Sequence, residues 1–402
     1  MDERNALRGE YLTLKAAVVG PGDELYLWWG HIGLVVEDAL SGESRFYDWG
    51  VFNFEKENFF TNFALGRLLY SCAAGPAEAN YARNFKTNRD ITLYTLDLPP
   101  EVKTEIFLKM ENNILPENRD YWYHHFKDNC STRVRDFIDL AVGGAFKERY
   151  GEAPGRFTLR QHVRRHTWFS PFWDWLLNFL MGRDIDRPIT VWEEMFLPSE
   201  VGRNIAGFRY TGPDGTERKL VSSVEVLNTA AGRPVVLEEP PRRWTGSLAA
   251  GLCAAALFVF LTLGGKKQKL FRTLSGLGQA FLGLFFGTAG SLLFFMSFFT
   301  DHDYCYHNSN LLFVNPLFFA ALPLGLICAF SGGAARRFRA GTALKALWTC
   351  VFLGGLLSMV IKCFPGFYQQ NQATQALIMP AALALSFIPR WFLMLKKGAA
   401  HG

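Results

Sequence analysis

Between residues 246 and 396 the sequence consists of long apolar runs separated by short polar loops, and no other feature restricts the fold as much. Five runs, at about 246–264, 274–299, 311–330, 343–361 and 374–395, approach or exceed the roughly 20 residues a helix needs to cross a bilayer. The spacing therefore predicts a five-helix transmembrane bundle in a domain of 241–402, with the lipid bilayer as a partner. Loop charge supplies an orientation. The segments "GGKKQKLFR" (264–272) and "RRFRAGTALK" (336–345) and the terminal "KKGAAHG" are basic, whereas 300–310 and 363–374 contain no Lys or Arg. The positive-inside rule then puts the C-terminus in the cytoplasm and, with an odd number of spans, residues 1–240 outside it. A cytoplasmic domain with reversed topology is the alternative. The start "MDERNALRGEYLTLKAAVVG" has no apolar signal core, so a leader is expected to have been removed or truncated.

The N-terminal 240 residues mix charge, aromatics and turns in the order strand, hairpin, strand, helix, helix, hairpin. "HIGLVVED" and "SRFYDWG" are predicted to pair, "DITLYTLDLPP" alternates as a strand, and "PEVKTEIFLKMENNI" starts a helix at its proline. "FFTNFALGRLLY" is read as helical or as an irregular lid. The fold class is α+β. A net charge of +5 over 402 residues gives no reason to expect nucleic acid. The seven cysteines stand singly, none in CxxC spacing, so no metal or redox site is expected and no cofactor motif is present.

The chemistry concentrates in "HHFKDNCSTRVRDFID" (124–139). Cys130 begins an amphipathic helix and is either a small packing residue or a nucleophile. A free thiol is mostly protonated at neutral pH. A helix N-terminus favours its anion, and an imidazole can take its proton. His31, His124 and His125 are the candidate imidazoles. His31 follows "WWG" at the start of a strand, and His125 is expected to line the cleft. Asp48 in "YDWG" is the first choice to orient the imidazole, with Asp128 and Asn129 behind it; Asn129 also suits a helix cap or an oxyanion contact. Arg67, Arg133 and Arg135 are candidate phosphate contacts, Arg being suited to bidentate binding. Trp28, Trp29, Phe52 and Phe126 would shield the site from water. Arg156, Arg160 and Arg164 fall at helical spacing and are read as a solvated face. Asp186, Glu193 and Glu194 are taken as structural or amine-facing. In the membrane half, Asn308, Asn310 and Asn315 stand where a span begins, either as substrate contacts or as helix caps. The GxxxG pair Gly283 and Gly287 is read as ordinary membrane-helix glycine.

The order "GHIGLVV … FYDWG … NCSTR" resembles the permuted papain-like (NlpC/P60) enzymes, a superfamily that includes lecithin:retinol acyltransferase. More closely, from about residue 20 to the end, the chain resembles the bacterial lipoprotein N-acyltransferases of the Bacteroides type (Lnb). The motifs that carry this are "PGDELYLWWGH", "YDWGVFNF", "FALGRLLY", "DNCSTRVRD", "DRPITVWEEMFLP" and "NSNLLFVNPL". The resemblance implies a papain-like domain on the periplasmic side of the bacterial inner membrane. It implies that Cys130 takes an acyl chain from a membrane phospholipid as a thioester, with His31 and Asp48 assisting. The acceptor would be the N-terminal amine of a diacylated lipoprotein. Substrate contacts would come from Asn129, Arg133, Arg135, Arg67, Trp29, His125, Asn308 and Asn310. Three other readings use the same residues differently: a membrane-anchored cysteine peptidase or amidase, a phospholipase, and a non-enzymatic assembly module.

Overall fold

The computed structural model describes residues 8–52 and 58–398, with side chains described to Phe387. The terminal "KKGAAHG" therefore lies wholly outside the described side chains. The chain divides into two compact units. One contains Met1–His162 and Pro188–Leu237; the other contains Val163–Arg187 and Glu238–Gly402.

The first unit is built on a seven-stranded antiparallel sheet. Its strands are β1 (Leu12–Val19), β2 (His31–Asp38), β3 (Glu43–Val51), β4 (Leu69–Pro76), β5 (Ile91–Leu96), β6 (Asp120–Trp122) and β9 (Val221–Asn228). They run in the order β6-β4-β3-β2-β1-β5-β9; a separate hairpin joins β7 (Arg209–Thr211) to β8 (Glu217–Lys219). The β2–β3 hairpin and β5 are where the alternation placed them. β1 and β4 are additional. "FFTNFALGRLLY" is helical only over Phe59–Ala64 and then turns into β4.

Helices Pro100–Asn113 and Cys130–Ala141 bury one stripe each, as the helical period requires. Ile106, Phe107 and Met110 from the first, and Val134 and Ile138 from the second, join Leu12, Leu14, Ile32, Leu34 and Trp49 in one core. This packing fixes the Cys130 helix against the sheet, so its first turn has a defined position relative to the start of β2.

Among the described residues of the second unit, four stretches are long and apolar enough to cross a membrane: Trp244–Gly264, Lys269–Phe299, Ser309–Phe330 and Ala334–Ile361. A further apolar helix, Gln372–Gly398, has its side chains described only in part. The third stretch is not one α-helix. It begins with two 3₁₀ segments, Ser309–Leu312 and Pro316–Ala320, before Ala321–Phe330. Asn308 and Asn315 cap these segments, accepting from the Asn310 and Leu317 N–H groups at 3.0 Å each. Irregular backbone at membrane depth is tolerated where protein surrounds it.

The glycine reading needs correction here. A Cβ on Gly283 would come within 2.6 Å of the Leu322 nitrogen, and one on Gly287 within 2.8 Å of the Phe319 ring. These glycines allow close backbone approach, the usual purpose of small residues in membrane helix contacts.

Helix Pro171–Leu180 belongs to this unit and ends against the broken span. Asn308 Nδ2 donates to the Phe179 and Leu180 carbonyls at 2.9 and 3.1 Å, and Asn310 Nδ2 to Phe179 at 3.0 Å. Gln369 Nε2 donates to the Met181 carbonyl at 3.1 Å and to Asn308 Oδ1 at 2.9 Å. Asn371 Nδ2 closes on Asn310 Oδ1 at 2.7 Å.

Candidate active site

His31 is the first residue of β2, opposite Val19. Gly30, just before it, has φ +81°, a left-handed conformation that suits glycine, and a Cβ there would lie 2.7 Å from the Val19 carbonyl oxygen. The neighbouring strand delivers Asp48 beside a register shift between Asp48 and Val51. Its carboxylate Oδ1 lies 2.9 Å from His31 Nε2 and accepts the Gly50 N–H at 2.7 Å. Gly50 is needed by its neighbour: an added Cβ would stand 2.7 Å from His31 Cε1.

The Cys130 thiol meets this pair. His31 hydrogen-bonds it, and the Ile32 backbone N–H donates to the sulfur. With Nε2 committed to Asp48, Nδ1 is the imidazole nitrogen left for the thiol. Burial opposes charge on all three groups, yet their mutual attraction outweighs it. The His31 proton is held to about pH 10 against burial by the Asp48 carboxylate and the Cys130 sulfur. The Cys130 thiol is lowered despite burial by His31 and the Ile32 N–H, and Asp48 is lowered despite burial by His31 and the Gly50 N–H. The site therefore favours a thiolate–imidazolium pair steadied by a carboxylate, the arrangement that activates a cysteine.

Asn129 is the cap of the Cys130 helix. Its Oδ1 accepts from the Ser131 and Thr132 N–H groups at 2.9 and 3.0 Å, and Thr132 Oγ1 accepts the Asn129 N–H at 2.8 Å. This is a capping box. It qualifies the expectation that the helix N-terminus stabilises the thiolate, because those two donors turn to Asn129 while Ile32 serves the sulfur. Asn129 Nδ2 donates to the His125 and Phe196 carbonyls at 2.7 and 3.0 Å, which ties the cap to neighbouring loops.

His124 and His125 have separate tasks. His124 Nδ1 accepts the Phe126 and Lys127 N–H groups at 3.1 Å each, which shapes the turn. The His125 ring sits edge-on to Trp29 and Phe126, each at 4.7 Å between centroids. Burial, and then the His124 charge, push it down to about 3, so it is a neutral imidazole. Among the described residues, His125 Nε2, Trp29 Nε1 and Ser131 Oγ are buried and have no hydrogen-bond partner.

The arginines divide otherwise than by phosphate-binding sequence. Arg133 grips Asp128 with Nε and Nη2 at 2.6 and 2.7 Å and lies over the Tyr121 ring. Arg135 is buried over Trp192, donating to its carbonyl at 2.8 Å and to Asp136 at 2.9 Å. Arg67 is exposed before β4. The solvated-face reading of the second arginine group fails. Arg160 is fully buried, Arg156 reaches the buried Glu200 at 2.8 Å, and Arg164 pairs with Asp174 at 3.4 Å. Glu194 is structural, accepting from His162 at 2.9 Å and from the Arg156 and Phe157 N–H groups at 2.7 and 2.8 Å. Glu193 forms a capping box with Thr190, and Asp186 accepts the Gln370 N–H at 3.1 Å.

Arg89 went unnoticed in the sequence. It precedes β5 in "TNRDITLY", where nothing in spacing or pattern marks it. Its side chain is buried, donates to the Gly20 carbonyl and Asn84 at 2.9 Å each, and leaves Nη2 buried without a partner among the described residues. Burial, and then the nearby Arg233, lower it to about 10, while the Cys130 charge acts in the opposite direction. Gly20 follows Val19, the partner of His31 in the ladder, so Arg89 binds the same end of the sheet.

Residues 4–165 match the family model described as the Lnb N-terminal periplasmic domain, and residues 246–395 match that described as the Lnb transmembrane domain. The chain belongs to the Lnb family. No match was found among curated proteins or solved structures. Membership makes the chain a multi-pass membrane protein with a periplasmic N-terminal domain, of a family concerned with lipoprotein maturation. The cysteine, imidazole and carboxylate all fall within the part matched to the Lnb periplasmic domain.

Proposed function

We propose that the protein moves a fatty acyl chain from a membrane phospholipid, through a thioester on Cys130, to the N-terminal amine of a lipidated lipoprotein cysteine. The observation that carries this reading is the hydrogen-bonded series Cys130–His31–Asp48 in a chain with both Lnb domains. The basic loops support a place in the inner membrane with the C-terminus in the cytoplasm. Covalent linkage to apolar helices keeps the thiol on a protein that resides in the bilayer, where the donor is concentrated.

In the first half-reaction the Cys130 thiolate attacks the ester carbonyl of the donor. His31 gives its Nδ1 proton to the departing alkoxide, which leaves as a lysophospholipid alcohol. In the second, the lipoprotein amine attacks the thioester carbon, neutral His31 takes the amine proton, and the thiolate leaves. An amide has formed and the thiolate–imidazolium pair is restored. Asp48 holds the ring through Nε2 and favours its charged form in both halves. Oxygen becomes negative in each tetrahedral intermediate, and preorganised donors stabilise it best in a site that excludes water. The unpartnered Trp29 Nε1–H and neutral His125 are the groups we assign to that task. Arg89 Nη2 is assigned to the donor's phosphate.

The test uses the full chain in vesicles containing phospholipid labelled in its acyl chain, with a diacylated lipopeptide as acceptor. The expected result is a labelled adduct on Cys130, chased into a lipopeptide heavier by one acyl chain. Release of free fatty acid with no amide would assign a phospholipase instead. Peptide cleavage without an adduct would assign an amidase.

A further inference from the structure

The stretch "FFTNFALGRLLY" (59–70) has no part in the chemistry proposed above. Its helix, Phe59–Ala64, has six residues, no side-chain cap hydrogen bond and no buried residue. So short a helix is marginal in water, because few backbone bonds offset the cost of its first turn. Phe60 is 74% exposed and Phe63 48%. A helix that turns phenylalanines outward and buries none of its residues lacks the apolar surroundings that would hold it.

The exposed rings continue into the site. Phe59 lies 5.5 Å from Phe60 and 6.2 Å from Phe63 between ring centroids, and Phe52 lies 6.2 Å from Phe59. Phe52 in turn packs on Tyr26 at 5.5 Å and on Tyr70 at 5.0 Å. The Tyr70 hydroxyl is pushed up to about 12, by burial first and then by the Cys130 charge, so this ring stands near the sulfur. A continuous series of rings therefore leads from Phe60 to the neighbourhood of Cys130. Every member belongs to the first unit.

Charge narrows what can cover these rings. The sequence has no Asp or Glu between Glu57 and Glu78, and ionised side chains are what hydrocarbon excludes most strongly. Arg67, the one cation in that interval, has a stem long enough to leave its guanidinium among lipid head groups. The chain is a multi-pass membrane protein, so lipid is always at hand.

We propose that this aromatic surface takes the acyl chains of a bilayer phospholipid. Phe60 and Phe63 enter the edge of the hydrocarbon, and a chain drawn from it runs along Phe59, Phe52 and Tyr70 toward Cys130. Only the last step, delivery to the sulfur, rests on the acyl-transfer reading.

The experiment uses the full chain in phosphatidylcholine vesicles that contain a phosphatidylcholine with a diazirine at the end of one acyl chain. After illumination the label is expected on the tryptic peptide 57–67, which holds all three phenylalanines of the helix. It should appear there in Cys130→Ala as well, since lipid contact does not need the thiol. Label on this peptide with no thioester in wild type would uphold the surface and remove the acyl-transfer reading. Phe60→Ser with Phe63→Ser is expected to lower the labelling, and to raise the KM for vesicle phospholipid, about tenfold each. Both side chains are exposed, so this variant should melt as wild type does, with Cys130 alkylated by iodoacetamide within about twofold of the wild-type rate. Label confined to the helices from Trp244 onward, or labelling and KM unchanged in the double variant, would overturn the proposal. A dimer that dissociates in the double variant while lipid labelling persists would overturn it too, assigning the surface to a second copy of the chain.

Discussion

Among the described residues, one buried polar cluster lies at the Cys130 end of the sheet and another around Asn308 in the helical unit. They differ in what their hydrogen-bonding groups face. Around Asn308 the amides of Asn308, Asn310 and Gln369 hold the backbone carbonyls of Phe179, Leu180 and Met181. Around Cys130, Trp29 Nε1, His125 Nε2 and Arg89 Nη2 are buried and face no partner among the described residues. Leaving such a group unmet costs about 1–3 kcal/mol, so three at one place mark a location shaped for something that arrives later. A cluster whose donors close on backbone is a brace. A cluster that keeps donors open is a site.

The sharpest way to break this comparison is to remove the sulfur. Cys130→Ala should abolish the acyl adduct and reduce lipopeptide acylation by about 10⁴-fold or more, since removing a nucleophile removes the covalent path. Mass spectrometry of the lipopeptide reads it. Acylation that persists in this variant would move the chemistry elsewhere. Asp48→Asn comes next, with an expected loss of about 10³-fold, because the amide keeps the shape but no longer favours imidazolium. Gly50→Ala tests the same ring by geometry. Its Cβ would press on His31 Cε1 at 2.7 Å, and displacing a reacting group by about 1 Å costs about 10²-fold.

The pH dependence follows from the signs of the shifts. Cys130 is lowered, so its thiolate persists below the usual thiol range of about 8.5, and alkylation should already be fast at neutral pH. His31 is raised to about 10, so acyl transfer should fall above that pH, where the leaving alkoxide loses its proton donor. In His31→Ala, burial is left without its counterweight, and alkylation should require alkaline solution. An unshifted alkylation profile in that variant would separate His31 from the thiol.

How much of this was legible in the sequence differs between the two clusters for a physical reason. His31, Asp48 and Cys130 stand at boundaries that the pattern reveals: the first residue of a strand, a hairpin partner, the start of an amphipathic helix. β4 was hidden because "LYSCAAGP" is rich in small residues with little strand preference. β1 was hidden because "LTLKAAVV" is buried on both sides of its alternation after Leu14 and gives a weak period. Arg156 and Arg164 read as a solvated face because their partners, Glu200 and Asp174, lie outside the stretch that holds them, and Arg135 read as a phosphate contact because the Trp192 carbonyl it holds is far along the chain. Spacing along one helix does not report what a tertiary partner supplies. For Asn308 and Asn310 the polarity was visible, but the carbonyls they hold are about 130 residues upstream.

That last point gives the finest test of the brace. Asn308→Ala removes two donors to the Phe179 and Leu180 carbonyls and the acceptor for Gln369 Nε2. Buried partners left unmet cost about 1–3 kcal/mol, and interhelical polar contacts in membranes average about 0.6 kcal/mol, so a loss of about 1–2 kcal/mol is expected. Thermal melting of the protein in detergent measures it. Because the first unit has its own core and its own sheet, the alkylation rate of Cys130 in this variant should stay within about twofold of wild type. A variant that melts normally but acylates the lipopeptide with a raised KM would place Asn308 against substrate. The Phe179 carbonyl would then be a resting partner that substrate displaces.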